Sequence, residues 1–561
     1  MNRSRAILRP ITDCRQIRRG LVGALSLVVL AGGSMPLRAE PPAIAQGVRL
    51  VRPLAGEDLF TNGTVRQVRV ELAPEALAAL RKDPRGYVSA QMRDGDNVYA
   101  GVEVHLKGST GSFRPLDDKP GLTLKFDPQQ PGGTYHGLHK IHLNNSVEDP
   151  SYLNEHLGAE LFRTAGVPAP RVAYASVTVN GRPLGLYVLK EGFTEDFLAG
   201  YYHDTSGNLY EPQDGHDVDQ PMKRHSGHGS KKDQSDLQAL AAAAREPDAE
   251  KRWDDLGAVL DRDEFLTFAV MEVMVCHRDG YSLARNNYRV YHDRDSGKIV
   301  FLPHGMDQLF GRADLPWQPH WAGQIAEALL NTPTGRKRYR EQFQALFAQT
   351  FDAAALAKRI DGWLRELRPA LAAGAFAEVE REATVVKKRV ADRQAFLAGQ
   401  IHLPEPAFLE FTGGTAHLTG WQAGEAPAGG WLQEGKSPDG LRALVIQAGS
   451  RTSTGWRTSS LLRRGHYRFT GQVMVAGVKP LPFGKHHGAS LRVSGRTHPS
   501  GEAVGDSPWQ ELGTEFAVAA EQETVEFVCE LRASAGQAWW ATDSLCLRQV
   551  PLTALNDPHP Q

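Results

Sequence analysis

The hydrophobic and polar positions change their rhythm twice along the chain. Between 64 and 107 apolar residues mostly alternate, predicting strands over 65–72 and 98–106. A short helix over 74–82 interrupts them, with Pro74 in its first turn and Ala and Leu at helical spacing. A strand over 122–126 follows, then a helix over 152–165. Asp149 or Ser151 supplies its N-cap, Gly166 and Pro168 end it, and Leu153, Leu157 and Leu161 share one face. Asn180-Gly181 is a hairpin turn between strands over 173–179 and 184–189, leading into a helix over 195–201. Helical spacing then prevails over 235–275 and 324–403, interrupted by strands over 288–291 and 299–302. The last helix, over 375–402, is expected to turn Val385, Val390 and Phe396 inward. Past 404 only short strands remain, over 409–412, 442–447, 467–475, 489–493, 514–519, 524–533 and 544–549. Such regular short strands predict a jelly-roll β-sandwich.

A chain of 561 residues exceeds one core. The rhythm divides it into a leader (1–45), a β-rich region (46–193), a mostly helical region (194–403) and the sandwich (404–561). The fold class expected is α+β followed by all-β. Residues 204–236, polar and rich in His, Gly, Lys and Asp, read as a mobile surface insertion and not as a metal site, since their histidines lack metal-ligand spacing. A net charge of −1 provides no global field for nucleic acid or anionic lipid.

Arginines at 3, 5, 9, 15, 18 and 19 precede a short apolar run over 21–31, the layout of a secretory signal peptide. Cleavage would follow Ala39 or Ala45; the alternative is an uncleaved anchor, for which the run is short. No later segment is apolar enough to span a membrane, so the mature chain is expected to be exported without an integral span. Cys14 leaves with the leader, Cys529 and Cys546 could pair in an oxidising compartment, and Cys276 reads as a small buried hydrophobe.

The chemistry concentrates over 276–311. Asp279 follows an apolar helical run, Asn286 and Asn287 precede a strand, and Asp307 follows the next one. A carboxylate can hold or deprotonate a hydroxyl, while an amide and a second carboxylate offer oxygen to a hard divalent cation. Asp293 and Gly297 read as turn formers. Upstream, Lys107-Gly108-Ser109-Thr110-Gly111-Ser112 forms a small-residue loop able to bring backbone N–H groups near an anion, with Lys119 or Lys125 to neutralise it. Glu155 or Glu160 could reach from the helix to a strand lysine. Six tryptophans (421, 431, 456, 509, 539 and 540) lie in the sandwich, as core residues or as platforms for a glycan.

The stretches LKGSTGSFRPLDDKPGLTLKF (106–126), GLHKIHLNNSVEDPSYLNEHLGAELFRTAGVPAPR (137–171), NGRPLGLYVLKEGF (180–193), DGYSLARNNYRVY (279–291) and PHGMDQLFG (303–311) together resemble the CotH kinase family over about 65–403. The resemblance implies a protein-kinase-like two-lobed fold and an ATP-dependent phosphotransferase using Mg²⁺ or Mn²⁺, acting on Ser or Thr of a secreted or surface protein. It implies that Gly108 and Ser109 cover the nucleotide phosphates and that Lys119 neutralises them and pairs with Glu155. Glu191 and Phe193 would then belong to the connector against adenine, Asp279 would position or deprotonate the acceptor hydroxyl, and Asn287 and Asp307 would hold the metal. His277-Arg278-Asp279 resembles the kinase catalytic tripeptide, while Gly305 stands where the family often has the first acid of PWDxD. The alternatives are transfer of another group, such as AMP, and a non-catalytic surface protein with a glycan-binding sandwich.

Overall fold

The structure is a computed structural model that describes residues 47–109, 111–404, 407–481, 487–494, 496 and 500–550. The expected signal peptide and Cys14 lie outside the described residues.

Seven strands close into a barrel: β1 (Arg66–Glu71), β2 (Val88–Asp94), β3 (Asn97–Lys107), β4 (Gly121–Lys125), β5 (Lys140–Asn144), β6 (Val172–Val179) and β7 (Arg182–Glu191), in the order β1-β2-β3-β4-β5-β7-β6. The parallel pair β1·β6 makes the closure. Alternation places Val68, Val70, Val104, Leu106, Leu122, Leu124, Ile141 and Leu143 in one core. β2 and β5 had no prediction. Both nevertheless alternate, Val88-Ala90-Met92 and Ile141-Leu143 facing the core against polar neighbours. The Asn180-Gly181 turn has positive φ at both residues (46° and 76°), as a two-residue hairpin needs.

The helix Asn154–Thr164 leaves the barrel and packs on the helical region: Leu153, Leu157, Leu161 and Phe162 join its core, with Phe162 and Phe268 ring centroids 6.0 Å apart. Asp149 accepts from the Asn154 N–H at 2.9 Å and Ser151 Oγ from the Leu153 N–H at 3.2 Å, so both expected capping residues serve that terminus. Gly158 is required for close packing, because a Cβ there would stand 2.7 Å from Met306 Sδ.

The segment expected to be a mobile insertion is built into the fold. Its strands β8 (Asn208–Glu211) and β9 (Lys223–Arg224) extend β10 (Tyr288–His292) and β11 (Ile299–Pro303) into a sheet ordered β11-β10-β8-β9. Leu209, Tyr210, Val218 and Met222 are buried within it. Polar composition misled there because the segment also lines a cleft, described below. The long C-terminal helix, Ala373–Gln400, buries Val386 and Val390 but leaves Val385 40% exposed, a one-residue correction to the inward face.

The C-terminal region is all β, with a core including Ile446, Trp456, Phe469, Phe527, Leu531 and Trp540. Trp456, Trp539 and Trp540 are buried, as the core reading requires, and Trp431 is exposed. Cys529 and Cys546 are free buried thiols, which overturns the possible disulfide. Cys529 stands opposite Leu491 on one strand pair, whereas Cys546 lies opposite Thr470 and His417 on others. Cys276 is a buried free thiol, as expected. No helix among the described residues is long and apolar enough to cross a membrane.

Candidate functional site

A cleft of about 560 Å³ opens between the barrel, the β8–β11 sheet and the loop after β11. Seven of the nine predicted site residues line it: Gly108, Ser109, Glu155, Phe193, Asp279, Asn287 and Asp307. Lys119 and Glu191 do not line it.

The floor is a buried ion pair. Lys190 on β7 donates from Nζ to Glu155 Oε2 at 2.9 Å and Oε1 at 3.2 Å, and both residues are almost fully buried. Glu155 also accepts from the Met306 N–H at 3.1 Å. Its neighbour Asn154 donates from Nδ2 to the Asp307 carbonyl at 2.8 Å. The first turn of this helix therefore grips the Met306-Asp307 segment from two sides. Asn144 accepts from Lys107 Nζ and donates to Glu155 Oε1 at 3.4 Å, which extends the network to the end of β3.

This arrangement corrects the predicted lysine. Lys119 Nζ donates to the Tyr152 hydroxyl at 2.7 Å and sits over the Tyr152 and Tyr187 rings, and burial lowers its pKa to about 8. Its place beside Glu155 is taken by Lys190. The sequence signal was the lysine closing the apolar strand run Leu186-Tyr187-Val188-Leu189. Glu191 is corrected by the same alternation: the next residue along the strand faces the other way, and its carboxylate accepts from Arg171 Nε at 3.0 Å.

Gly108 and Ser109 of the small-residue loop line the cleft. Gly108 has φ 114°, and a Cβ there would meet the Phe113 backbone at 2.9 Å. The Ser109 N–H donates to Ser112 Oγ at 3.1 Å, so the loop is closed on itself. Thr110 lies outside the described residues.

Opposite stands the acid set. The helix Arg262–Met274 ends in a turn with Cys276 at φ 54°. His277, fully buried, then makes a 3.0 Å hydrogen bond from Nε2 to the His304 carbonyl. That bond holds the Asp279 loop against the Asp307 loop. The Asp279 carboxylate accepts from Asn286 Nδ2 at 3.1 Å and from Asn287 Nδ2 at 2.7 Å. Asn287 Oδ1 occupies the space of a side chain at 305: an added Cβ would stand 2.3 Å away, and Gly305 has φ 55°. Among the described residues no side chain donates to the Asp307 carboxylate. Burial, then the charges of Glu155 and Glu148, push it up to about 7.

The remaining wall is cationic and escaped the sequence reading. Lys140, Lys223 and Arg289 line it with His142 and His225. Burial lowers both Lys107 and Lys140 to about 8, and keeps His142 and His304 neutral, well below the usual histidine range. Arg289 is held by the Glu211 carboxylate. These cations lie on strands and on the polar segment, without a motif to mark them.

A family model described as CotH kinase protein matches residues 104–397. Among curated proteins, inner spore coat protein H of Bacillus subtilis (strain 168) is 22% identical over 268 residues, 45% of this chain and 71% of that protein. Invasin CotH2 of Rhizopus delemar is 24% identical over 254 residues, 39% of this chain and 42% of the invasin. Among solved structures, a xylan-binding domain from Paenibacillus barcinonensis covers 24% of this chain and 88% of its own, at 16% identity and a TM-score of 0.17. A galactotriose-bound carbohydrate-binding module covers 24% and 90%, at 15% identity and a TM-score of 0.17. At these scores the likeness carries no argument. The family match takes in the cleft's Lys107, Asp279, Asn287 and Asp307, Lys190 beneath them and more than half of the chain, and the protein belongs to the CotH kinase protein family.

Proposed function

We propose that the chain is an exported kinase that transfers the terminal phosphoryl group of ATP to a Ser or Thr hydroxyl of a secreted or surface protein. The observation that carries this reading is one cleft lined by Asp279, Asn287, Asp307 and Glu155, the last paired beneath it with the buried Lys190. Phosphoryl transfer asks a protein chiefly for position and charge neutralisation. Lys107, Lys140 and Arg289 supply positive charge for phosphates, and Phe193 offers a ring at the connector. Asp279, steadied by two asparagine amides, is placed to receive or orient the acceptor's proton. Seen this way, the barrel and the helical region correspond to the two lobes of a kinase.

The donor set fits a magnesium or manganese ion held with its ligand. Among the described residues no group of three or more His, Cys, Asp or Glu forms a metal cage. Mg²⁺ is commonly bound through one or two carboxylates, with phosphate oxygens and water completing its octahedron. Asp307, a carboxylate without a side-chain donor, and Asn287 Oδ1 would hold it. When bound, the ion would neutralise charge on the phosphates.

The test is incubation of the full chain with ATP, Mg²⁺ or Mn²⁺ and a secreted-protein mixture. The label should move from the γ-position and be lost in Asp307→Ala. Label moving only from the α-position would mean AMP transfer. No Mg²⁺-dependent nucleotide binding at all would leave a non-catalytic surface protein.

A further inference from the structure

The cleft has a neighbour. A groove of about 630 Å³ adjoins it, and Glu148, Asp279, Asp307 and Gln308 line both. Lys107, Lys140 and Arg289 belong to the cleft alone, whereas Arg278 and Arg389 belong to the groove alone. Transfer between two ligands requires that they meet at one point. Two carboxylates shared by cleft and groove mark that point: Asp279, placed for the acceptor's proton, and Asp307, placed for the metal. A donor held on the cleft's cationic wall leaves the groove as the way in for the acceptor.

The groove's own charge defines what enters. Arg278 and Arg389 are both exposed, and among the described residues neither guanidinium has a hydrogen-bond or ion-pair partner. The acids around them are engaged elsewhere. Asp279 takes the asparagine amides, Asp392 pairs with Lys388 at 2.6 Å, and Glu148 accepts from Gln308 at 2.9 Å. Both arginines stand on fixed supports. Arg278 follows the buried His277, whose ring is tied to the His304 carbonyl. Arg389 lies one turn from Arg393 on the helix Ala373–Gln400, and Arg393 donates to the carbonyls of Val273 and Met274, just ahead of the Asp279 loop. With Asp279 and Asp307 committed to the acceptor's proton and the metal, two guanidinia against Glu148 leave the groove positive. A lone exposed arginine says little. Two unpaired ones in one groove suit a carboxylate or a phosphate, which a guanidinium grips with two parallel hydrogen bonds.

Resting on the phosphotransferase reading of the cleft, we propose that this groove seats the acceptor chain and that Arg278 and Arg389 select a Ser or Thr flanked by an anionic side chain. The anion is a carboxylate or the phosphate of an already modified residue. Acceptors with a basic residue beside the hydroxyl are disfavoured, because like charges would meet in the groove. The two arginines touch the residue next to the hydroxyl and not the reacting atoms, so they set specificity and leave nucleotide binding to the cleft.

The test measures binding of fluorescent peptides to the full chain by anisotropy, alongside Mg²⁺-dependent ATP binding. Three peptides carry one serine flanked by glutamate, by phosphoserine or by lysine. At least one of the two anionic peptides should bind about tenfold or more tightly than the lysine peptide, and their comparison says which anion the groove takes. Arg278→Gln and Arg389→Gln should each reduce that preference, and the double variant should bring it to about threefold or less. ATP affinity in Arg389→Gln should stay within about twofold. Equal binding of the three peptides overturns the proposal, as does tighter binding of the lysine peptide, no binding by any of them, or a preference intact in the double variant. Any of these beside intact ATP binding overturns the acceptor assignment alone. Absence of Mg²⁺-dependent ATP binding in the wild type overturns the phosphotransferase reading and the acceptor assignment with it.

Discussion

Asn154 Nδ2 lies 2.8 Å from the backbone carbonyl of Asp307, 153 residues later in the chain. Together with the Glu155–Met306 hydrogen bond, it ties the helix behind the barrel to the segment carrying the Asp307 carboxylate. Helix and acid are therefore joined by two hydrogen bonds. That gives Lys190, which meets Glu155, and Lys119, which was expected to, different expected behaviour.

Lys190→Met should leave Glu155 buried without its cation, costing on the order of 3–5 kcal/mol of stability and abolishing phosphoryl transfer. Lys119→Met removes a lysine whose ammonium donates to Tyr152 and lies over Tyr187, and transfer should persist. Urea unfolding and labelling of both variants check this. Loss of transfer in Lys119→Met with normal stability would restore Lys119 to the site.

Asp307 has a pH signature. Its carboxyl titrates at about 7 in the fold against the ordinary value near 3.8, so the folded state holds the extra proton between those limits. Its contribution therefore turns unfavourable as pH rises from about 4 to about 7. Asp307→Asn should raise the melting temperature at pH 8 and change it little at pH 4. In the wild type, Mg²⁺-dependent nucleotide affinity should rise through pH 7, as the carboxylate becomes available. Calorimetric titrations at pH 6 and pH 8 measure that rise.

Asp279→Asn keeps the shape of the residue and removes the proton acceptor. Nucleotide affinity should stay within about twofold, while the transfer rate falls by about 10²–10⁴. A parallel loss of affinity would show that Asp279 serves the nucleotide instead of the acceptor.

Gly305→Ala would force a Cβ into Asn287 Oδ1 at a residue with φ 55°. The backbone cost alone is about 1–2 kcal/mol. Displaced Asn287 would also loosen its 2.7 Å bond to Asp279, so both melting temperature and transfer should drop. An unchanged transfer rate would show that the Asn287–Asp279 contact is dispensable.

Arg393 is a purely structural counterpart. Its fully buried guanidinium donates to the carbonyls of Val273, Met274, Ala313 and Leu315, fastening the long C-terminal helix to the end of the helix that precedes Asp279. Arg393→Met should cost about 3 kcal/mol or more, because those carbonyls lose their donors. Nucleotide binding by the fraction that remains folded should be retained.

Local pattern determined much of this protein. The helix Pro74–Lys82, the Asn180-Gly181 hairpin, the helix Glu195–Tyr201 and the strand Arg442–Gln447 follow from spacing, turn chemistry and capping, which act over a few residues. The acids Asp279 and Asp307 were legible because each interrupts an apolar run with a charge that a solvated turn does not need. What only the tertiary structure decided is partnership over long separations. Lys190 rather than Lys119 meets Glu155 because barrel closure sets β7 beside the helix, and a strand's alternation gives Lys190 and Glu191 opposite faces. The segment over 204–236 looks wholly solvated in sequence although Glu211, Asp214, Lys223 and His225 line a cleft, because a cleft wall and an open surface have the same composition. Cys529 and Cys546 are near in sequence, yet strand pairing assigns them to different partners. Proximity along a chain fixes turns and caps, while the register of distant strands fixes which charges meet.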